Sequence, residues 1–435
     1  MRDPANDPIA FWTNGGPGCS GLLGFLTEMG PFATNNKDLT LSLNPYAWNS
    51  IATMVFIEQP CGVGFSYSDE EDPLASGGDY ITNDAQAKKD NYALIQAWLD
   101  RFPEYRKNDL YITSESYGGH YMPQLSQEIV DRNSAGQDPL LNFKGMAVGN
   151  PGTTFYSIIP AGLDTYWGHQ LISKPLYDGF VENCRDAPHF NLTVCEAYYM
   201  KMYRDVGNLN PYALDYPVCL EDGTAAGRAK KNGRSQRNML MNYMLPGLFS
   251  EETDSEGKKV GLSTQSQEHL SDIRKSIGLE PNEGYEPCAE DYMTQYLNQE
   301  SVKEAIHVKT DIDWMDCSRS IRYKTGDRHH DMTPIYNYLI DGNFGLDILV
   351  FSGDDDDVCA TIGTQNWIWD LGYEVGTDWK VFEVNGQVGG YLTKWKDTKL
   401  GFATVHGAGH EVPAYKPEAA LWLWDAYLKG ELTNE

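Results

Sequence analysis

The stretch Ile112-Thr113-Ser114-Glu115-Ser116-Tyr117-Gly118-Gly119 places a serine between a predicted strand and a predicted helix. The strand prediction rests on the apolar run at 110–113, and a helical pattern follows from about 121 to 130. Small residues lie two positions before and two positions after Ser116, which a tight strand-to-helix turn needs to expose a hydroxyl above a sheet. Ser114 stands where glycine is usual. The stretch predicts that Ser116 is a nucleophile, although a Ser/Gly-rich turn without chemistry would explain the motif if it stood alone.

Strand and helix patterns alternate on both sides of this turn. We predict strands at 8–12, 51–57, 110–113, 143–148, 346–351 and 402–405, a hairpin at 379–395 around Asn385-Gly386, and helices at 79–102, 121–130, 301–308 and 417–428. Such alternation is typical of an α/β fold with a mostly parallel sheet. The rhythm breaks between 151 and 287, where the chain is rich in polar residues and turns. We therefore predict a core formed by 1–150 and 288–435 and an inserted cap region at 151–287.

An acid and a histidine follow later strands, in the order that a serine hydrolase needs. The run Ser352-Gly353-Asp354-Asp355-Asp356-Asp357 follows the strand at 346–351, and Gly407-Ala408-Gly409-His410 follows the strand at 402–405. A solvated turn or a cation-binding loop would also explain the aspartates, but the closing Glu of an EF-hand is missing and we expect no metal. The pattern predicts a Ser-Asp-His hydrolase and leaves open which aspartate serves.

The balance of charges excludes several classes of partner. The 435 residues include 34 Lys+Arg and 62 Asp+Glu, a net charge of −28. Phosphate and anionic membrane surfaces repel such a chain, so we expect no nucleic-acid partner. We also expect no membrane partner, because no apolar stretch of about 18 residues occurs. With 41% hydrophobic and 12% aromatic residues, the chain can bury a sizeable core and is not disordered.

Cysteine usage indicates the secretory pathway. The chain has 8 cysteines without CxxC or Cys/His zinc spacing, which favours disulfides over metal binding. Asn191-Leu192-Thr193 is a candidate glycosylation site. Residues 2–8 lack the apolar segment of a signal peptide. We expect a vacuolar, lysosomal or extracellular protein whose leader is missing from the sequence as given.

Six motifs together resemble the serine carboxypeptidases of the α/β-hydrolase class. They are Asn14-Gly15-Gly16-Pro17-Gly18-Cys19-Ser20, Glu28-Met29-Gly30-Pro31, Gly62-Val63-Gly64-Phe65-Ser66-Tyr67, Glu115-Ser116-Tyr117-Gly118-Gly119-His120-Tyr121, Gly353-Asp354-Asp355-Asp356 and Gly409-His410-Glu411-Val412-Pro413. The resemblance implies an α/β-hydrolase fold with a central mixed, mostly parallel sheet and a mainly helical inserted cap. Similar proteins have further strands before Ile9, so N-terminal strands are expected to be missing here.

The same resemblance implies the activity: release of C-terminal residues from peptides and proteins through an acyl-enzyme, without a cofactor or metal. The implied catalytic roles are nucleophile for Ser116, general base and then acid for His410, orienting carboxylate for Asp356, and oxyanion-hole N–H donors for Gly16 and Tyr117. Asp356 is selected because, in similar proteins, the acid lies two residues after the Asp of the Ser-Gly-Asp turn. Asp354, Asp355 and Asp357 remain alternatives.

The resemblance also implies a binding site for the α-carboxylate of the substrate, formed by Asn14, Glu28 and Glu115 with the backbone of Gly15. Facing carboxyls beside a third carboxylate cannot all be ionised, so a proton must be shared. We expect substrate binding to tighten below about pH 6. Glu411 follows the histidine where many similar proteins have methionine, which favours Lys or Arg as the leaving residue. A Glu411 that points to solvent is the alternative.

Further expectations follow from the resemblance. Cys19 is matched with Cys317, while the candidate bridges of the insertion are Cys184–Cys195 and Cys219–Cys288 and the pairing of Cys61 and Cys359 stays open. The basic run at 228–237 is either an exposed loop or a proteolytic processing site. The rival functions are an acyltransferase that uses the same triad and a non-catalytic protective or carrier subunit. A homodimer is one oligomeric state that the sequence leaves open.

Overall fold

The computed structural model describes residues 3–34, 39–136, 138–185, 192–219 and 285–434. The chain divides into two compact units, one formed by Met1–Gly162 with Ala289–Glu435 and the other by Leu163–Cys288. The predicted cap region, 151–287, differs from the second unit at both ends and remains a prediction. Asn191 and the basic run at 228–237 lie outside the described residues. None of the described helices is long and apolar enough to span a bilayer.

The first unit is built on an eight-stranded sheet, with two short strand pairs beside it. The strands are β1 (Ile9–Thr13), β2 (Phe32–Ala33), β3 (Ser42–Leu43), β4 (Thr53–Phe56), β5 (Ile81–Thr82), β6 (Leu110–Glu115), β7 (Phe143–Gly149), β8 (Arg322–Tyr323), β9 (Asp347–Gly353), β10 (Val375–Val384), β11 (Gln387–Trp395) and β12 (Leu400–Val405). The order in the large sheet is β10-β11-β12-β9-β7-β6-β1-β4. Neighbours from β12 to β4 are parallel, and the β10–β11 hairpin is antiparallel. The predicted mixed, mostly parallel sheet is confirmed.

Helices follow most strands of the sheet. They are α1 (Asp84–Arg101), α2 (Gly118–Ala135), α3 (Phe155–Gly168), α4 (Lys174–Phe180), α5 (Leu192–Val206), α6 (Ala289–Leu297), α7 (Glu300–Ala305), α8 (Thr333–Asp341), α9 (Thr361–Asp370), α10 (Val412–Tyr415) and α11 (Pro417–Leu428). Shorter helical turns occupy Gly24–Glu28, Trp48–Ser50, Pro103–Tyr105, Val181–Arg185 and Thr325–His329.

Local sequence explains most of these bounds. The Asn83 side chain accepts a hydrogen bond from the Gln86 N–H, so α1 begins there rather than at 79. Residues 81–82 form β5 instead, paired with β8. The β10–β11 turn has positive φ at both Asn385 (52°) and Gly386 (72°), the conformation that this dipeptide favours in a two-residue hairpin. The predicted hairpin is therefore confirmed.

The second unit contains the helices α4 and α5 among its described residues. Disulfides join Cys184 to Cys195 and Cys219 to Cys288. In the same unit, the Asp164 carboxylate accepts hydrogen bonds from the Tyr177 hydroxyl at 2.6 Å and from Arg185 at 2.8 Å. Cross-links of this kind stabilise a folded unit mainly by restricting its unfolded chain.

Candidate active site

Five neighbouring strands of the sheet end at one edge, and each is followed by a polar residue. Asn14 follows β1, Ser116 follows β6, Asn150 follows β7, Asp356 lies after β9 and His410 lies after β12. The order β12-β9-β7-β6-β1 makes these strands consecutive in the sheet. Since parallel strands place their carboxyl ends together, residues distant in sequence meet at this edge.

Ser116 lies in a tight turn between β6 and α2, with φ of +59°. Positive φ is unfavourable for a serine, and such conformations cluster at functional sites. The turn is held by hydrogen bonds from the Ser116 N–H to the Gly149 carbonyl at 3.0 Å and from the Gly152 N–H to the Ser116 carbonyl at 2.9 Å. A side chain at Gly118 would put its Cβ 2.1 Å from Ser114 Oγ, so this position requires glycine.

Ser114 occupies the motif position where glycine is usual, and the structure accounts for it. Its hydroxyl donates a hydrogen bond to the Thr13 carbonyl at 2.6 Å, on the neighbouring strand β1. The side chain is fully buried. A serine therefore fits the turn because its hydroxyl has a backbone acceptor.

His410 and Asp356 form a buried pair. The His410 Nδ1 lies 2.8 Å from Asp356 Oδ2, and both side chains are at most 2% exposed. Asp356 also accepts hydrogen bonds from the Val358 N–H at 2.7 Å, the Cys359 N–H at 3.1 Å and the Asn150 side chain at 2.8 Å. These donors fix the carboxylate in one orientation and stabilise its charge.

The other aspartates of the run lie elsewhere. Asp354 pairs with the exposed His406 at 2.8 Å and accepts a hydrogen bond from the Gly407 N–H. The Asp355 N–H donates to the Ala408 carbonyl. Asp356 is thus the aspartate that the structure brings to His410.

The environment of His410 sets its protonation. Burial acts to lower the pKa of the imidazole, but the charge of Asp356 and its hydrogen bond outweigh burial, so the pKa is raised above its ordinary value. An imidazole with a raised pKa is a stronger base, and its Nδ1 is oriented by the carboxylate.

The loop at 14–16 lies directly against the nucleophile turn. A Cβ at Gly15 would come within 2.4 Å of the Tyr117 nitrogen and 2.7 Å of the Ser116 Cβ. Gly16 has φ of +111°, which favours glycine. The backbones around Gly16 and Tyr117 therefore approach each other beside Ser116, the arrangement that two oxyanion donors need.

Asn14 bridges two buried carboxyl groups. Its Nδ2 donates to Glu28 Oε1 at 3.0 Å and to Glu115 Oε1 at 2.8 Å. Its Oδ1 accepts from the Trp12 indole at 2.8 Å and from the Gly24 N–H at 3.2 Å, which fixes the orientation of the amide. All three polar side chains are at most 5% exposed. The sequence-predicted carboxylate-binding residues are thus together, and Glu115 is the residue directly before Ser116.

Burial shifts the titration of both acids. Desolvation, followed by the negative charge of Glu411, raises the pKa of Glu28 to about 8. Desolvation and the neighbouring Glu28 raise the pKa of Glu115 well above its ordinary value. Two carboxyls this close share a proton rather than both ionising. At neutral pH the cluster therefore carries a proton that it can donate.

Two further acids lie within electrostatic range of this cluster. Glu411 is half-buried at the start of α10, and desolvation raises its pKa. Glu290, in the first turn of α6, has its pKa raised well above the ordinary value by desolvation and then by Glu411, and Glu28 adds to the shift. Sequence reasoning missed Glu290, because it lies in no motif and no local pattern connects it to Glu28.

Asn150 is the other site residue that sequence reasoning missed. It has φ of +36° at the end of β7 and is fully buried. Its side chain donates to Asp356, and its Oδ1 accepts the Gly353 N–H at 2.9 Å. An asparagine two residues after the predicted strand at 143–148, next to Gly149, was the available signal.

The cysteines of the chain fall into two groups. Cys19 and Cys317 form a disulfide, which ties the loop after Gly16 to the segment after α7. The structure also forms Cys184–Cys195 and Cys219–Cys288, the candidate pairing among the three connectivities that the four cysteines of the insertion allow. Cys61 and the buried Cys359 are free thiols. Within the described ranges, no group of three or more His, Cys, Asp and Glu side chains could hold a metal ion.

Comparison with known proteins agrees with this geometry. The family model described as serine carboxypeptidase matches residues 1–430. Two proteins of Arabidopsis thaliana, serine carboxypeptidase-like 25 and serine carboxypeptidase 24, are each 34% identical to the chain, covering 98% of it and 83% of their own length. The crystal structure of KEX1(delta)p, a prohormone-processing carboxypeptidase from Saccharomyces cerevisiae, has a TM-score of 0.66 at 21% identity, over 98% of this chain and 83% of that one. The structural likeness supports the fold, and the sequence matches show that the chain belongs to the serine carboxypeptidase family.

Proposed function

We propose that this enzyme releases single residues from the C-termini of peptides and proteins through an acyl-enzyme on Ser116. The observation that carries the proposal is the position of the acid cluster: Glu115 directly precedes Ser116 and shares Asn14 with Glu28. A substrate α-carboxylate held there would lie close to the nucleophile, as release of the last residue requires. This spacing selects the last peptide bond.

In the proposed reaction, Ser116 Oγ forms a bond to the scissile carbonyl carbon while His410 Nε2 takes its proton. The oxyanion accepts hydrogen bonds from the N–H groups of Gly16 and Tyr117. The C–N bond breaks as His410 returns the proton to the amine, and the C-terminal amino acid leaves. His410 then takes a proton from water as the water oxygen bonds to the acyl carbon. The bond from that carbon to Ser116 Oγ breaks as His410 returns the proton to Oγ, which releases the shortened peptide. Asp356 holds the imidazole in the required tautomer throughout.

The carboxylate cluster predicts an alkaline limit on binding. A carboxyl with a raised pKa is protonated below that pKa, where it donates a hydrogen bond to the substrate carboxylate, and ionised above it, where it repels. KM is therefore expected to rise as pH passes about 8, the pKa of Glu28. This limit lies above the value of about pH 6 that we expect from the sequence. In Glu28→Gln the side chain stays neutral, so this rise should be weaker. Steady-state kinetics on one peptide from pH 5 to 9 measures it.

Glu58→Gln is the matched control, because Glu58 is a partly buried acid whose pKa desolvation also raises. Its carboxylate accepts from Ser20 and Trp314, apart from the cluster at Asn14. The alkaline rise in KM should persist in Glu58→Gln. A KM that stays flat to pH 9 in the wild type would refute the carboxylate-binding proposal.

Stability gives a second readout of the same group. The folded pKa of Glu28 lies above its ordinary value of 4.5, so its stabilising effect is complete below about pH 4.5 and is lost as pH rises through about 8. Glu28→Gln should therefore raise Tm relative to the wild type more at pH 8 than at pH 5. Thermal unfolding followed by tryptophan fluorescence measures the difference.

We further propose that Glu411 favours Lys or Arg as the leaving residue. Its charge acts on both Glu28 and Glu115, which would hold the α-carboxylate of that residue. In Glu411→Met the ratio of Arg to Leu release should fall roughly tenfold, the effect of losing one charged hydrogen bond. The alkaline rise in KM should also move to lower pH, since Glu411 raises the pKa of Glu28.

The control for this test is Glu418→Gln, which removes an acid in the first turn of α11, where it contacts Asn385. The ratio should not change in that variant. Release of Arg and Leu from two peptides that differ only in the last residue provides the measurement. An unchanged ratio in Glu411→Met would mean that Glu411 faces solvent instead.

We propose a secretory-pathway location, in the vacuole or lysosome or outside the cell, supported by the three disulfides. Adding an alcohol to an acyl-ester assay distinguishes hydrolysis from acyl transfer. Free acid as the main product supports the peptidase, and a new ester as the main product would favour the acyltransferase.

A further inference from the structure

A buried carboxylate, Asp84, lies behind the nucleophile turn at the start of α1. It is 4% exposed and has four side-chain hydrogen-bond partners. Oδ1 accepts from the hydroxyls of Tyr117 at 2.9 Å and Tyr323 at 2.5 Å. Oδ2 lies 3.1 Å from His120 Nδ1 and 2.8 Å from Gln124 Nε2. No step of the proposed reaction uses this carboxylate.

The partners of Asp84 bring three segments of the chain together. Tyr117 directly follows Ser116, and His120 and Gln124 lie in the first two turns of α2. Tyr323 ends β8, which pairs with β5 just before α1. The Asp84 N–H in turn donates to Asp327 Oδ2 at 2.9 Å. Asp84 is therefore held through its backbone N–H as well as through its carboxylate.

The ring of Tyr117 has little freedom. It stacks on His120 with centroids 4.5 Å apart and an interplanar angle of 4°, and it meets Tyr121 and Tyr323 edge-on at 5.1 and 5.8 Å. Its hydroxyl is bound to Asp84, and the side chain is 1% exposed. Contacts therefore fix the ring at its face, at its edge and at its hydroxyl. They also restrain the backbone of Tyr117, whose nitrogen faces the loop at Gly15.

We propose that Asp84 is a positioning residue for the oxyanion hole, acting through the hydroxyl and ring of Tyr117 on the direction of the Tyr117 N–H. The proposal rests on the proposed function, because it assigns that N–H to the oxyanion. Alignment of such a donor with the transition state is worth far more than its contact with the substrate. Asp84 should therefore affect kcat and leave KM nearly unchanged.

The carboxylate is suited to this role because it stays charged. Burial acts to raise the pKa of Asp84, but the hydrogen bond and charge of His120, with the hydrogen bonds of Tyr323 and Gln124, outweigh burial and lower it. A charged acceptor holds a tyrosine hydroxyl more strongly than a neutral one does.

The test uses Tyr117→Phe, which removes only the hydroxyl that reaches Asp84, and Asp84→Ala, which removes the anchor. Both should lower kcat for peptide hydrolysis roughly tenfold or more with KM nearly constant, since small misplacements at a reacting centre have such effects. A peptide boronic acid, which forms a tetrahedral anion on the serine, should lose affinity by the same factor. Asp84→Asn, which keeps an oxygen acceptor, should recover part of the activity of Asp84→Ala.

Tyr427→Phe is the matched control, because Tyr427 is equally buried and its hydroxyl donates to the Asp347 carbonyl at 2.8 Å, away from Asp84. It should lower Tm without changing boronic acid affinity. Asp84→Ala leaves several buried donors without an acceptor, so Tyr117→Phe decides the test if Asp84→Ala does not fold.

The outcomes separate this inference from the proposed function. Wild-type release of C-terminal residues, abolished in Ser116→Ala, establishes the function. If Tyr117→Phe then keeps wild-type kcat and boronic acid affinity while only its Tm falls, the positioning role is overturned and the function stands. If the wild type releases no residues but still binds the boronic acid, the function fails.

Discussion

Ser116→Ala is expected to lower kcat for release of C-terminal residues by roughly a millionfold, the loss found when a triad nucleophile is removed. The reason is that Ser116 supplies the oxygen that forms the acyl-enzyme. Among the described residues, no other residue with a hydroxyl group combines a positive φ with a position beside Gly15. Peptide binding should persist, because Asn14 and the two carboxyls remain. Residue release under single-turnover conditions measures the loss.

The control is Ser126→Ala, which removes another fully buried serine hydroxyl of the same region, in α2, where it contacts the Met146 sulfur. Its kcat should stay near that of the wild type. An organophosphonate that reacts with activated serines should label the wild type and Ser126→Ala but not Ser116→Ala. Retained turnover in Ser116→Ala would mean that another group is the nucleophile.

Asp356→Asn is expected to lower kcat roughly ten-thousandfold, because an amide cannot accept the Nδ1 proton in the same orientation and the imidazole adopts the wrong tautomer. The Val358 N–H donates to Asp356 Oδ1, whereas the Cys359 N–H and His410 both meet Oδ2, so in either orientation the NH2 of an asparagine would face a group that needs an acceptor. The acid limb of the kcat profile should move to lower pH, since Asp356 raises the pKa of His410.

Asp354→Asn provides the comparison within the same acidic run. Asp354 pairs with His406 at the protein surface, so its neutralisation should change kcat little. Measuring kcat from pH 4 to 8 for both variants gives the loss in kcat and the shift of the acid limb of its pH profile. A larger loss in Asp354→Asn than in Asp356→Asn would contradict the assignment of the orienting carboxylate.

The residues that sequence reasoning found are those that carry their own local signal. Ser116, the aspartate run and His410 each follow a predicted strand within a short motif, and parallel strands bring their carboxyl ends to one edge. The register of the resemblance selected Asp356 among four aspartates, and that residue pairs with His410.

The missed residues depend on which strands become neighbours. Asn150 meets Asp356 across 206 positions because β7 lies beside β9 in the sheet, and nothing near Asn150 in the sequence encodes that order. Asp84 meets Tyr323 across 239 positions for a similar reason, through the short β5–β8 pair. The apolar periodicity of α1 predicts its helix but not the buried partners of its first residue.

The predicted start of α2 differs from the observed one for another reason. Glycine disfavours helices, so the pattern begins only near Tyr121, whereas the helix begins at Gly118. Packing overrides propensity here, because a Cβ at Gly119 would lie 2.5 Å from the Gly152 carbonyl oxygen. The two glycines let the helix begin at Gly118, two residues after the nucleophile.

The central claim, that the enzyme removes residues one at a time from a free C-terminus, is tested most directly by mass spectrometry of peptide digests. A peptide with a free C-terminus and the same peptide with its N-terminus acetylated are incubated at pH 5 and above pH 8, and products are followed in time. We expect successive single-residue losses from the C-terminal end of both peptides and none in Ser116→Ala. Internal fragments, loss of N-terminal residues, or intact peptides with the wild type would contradict the account.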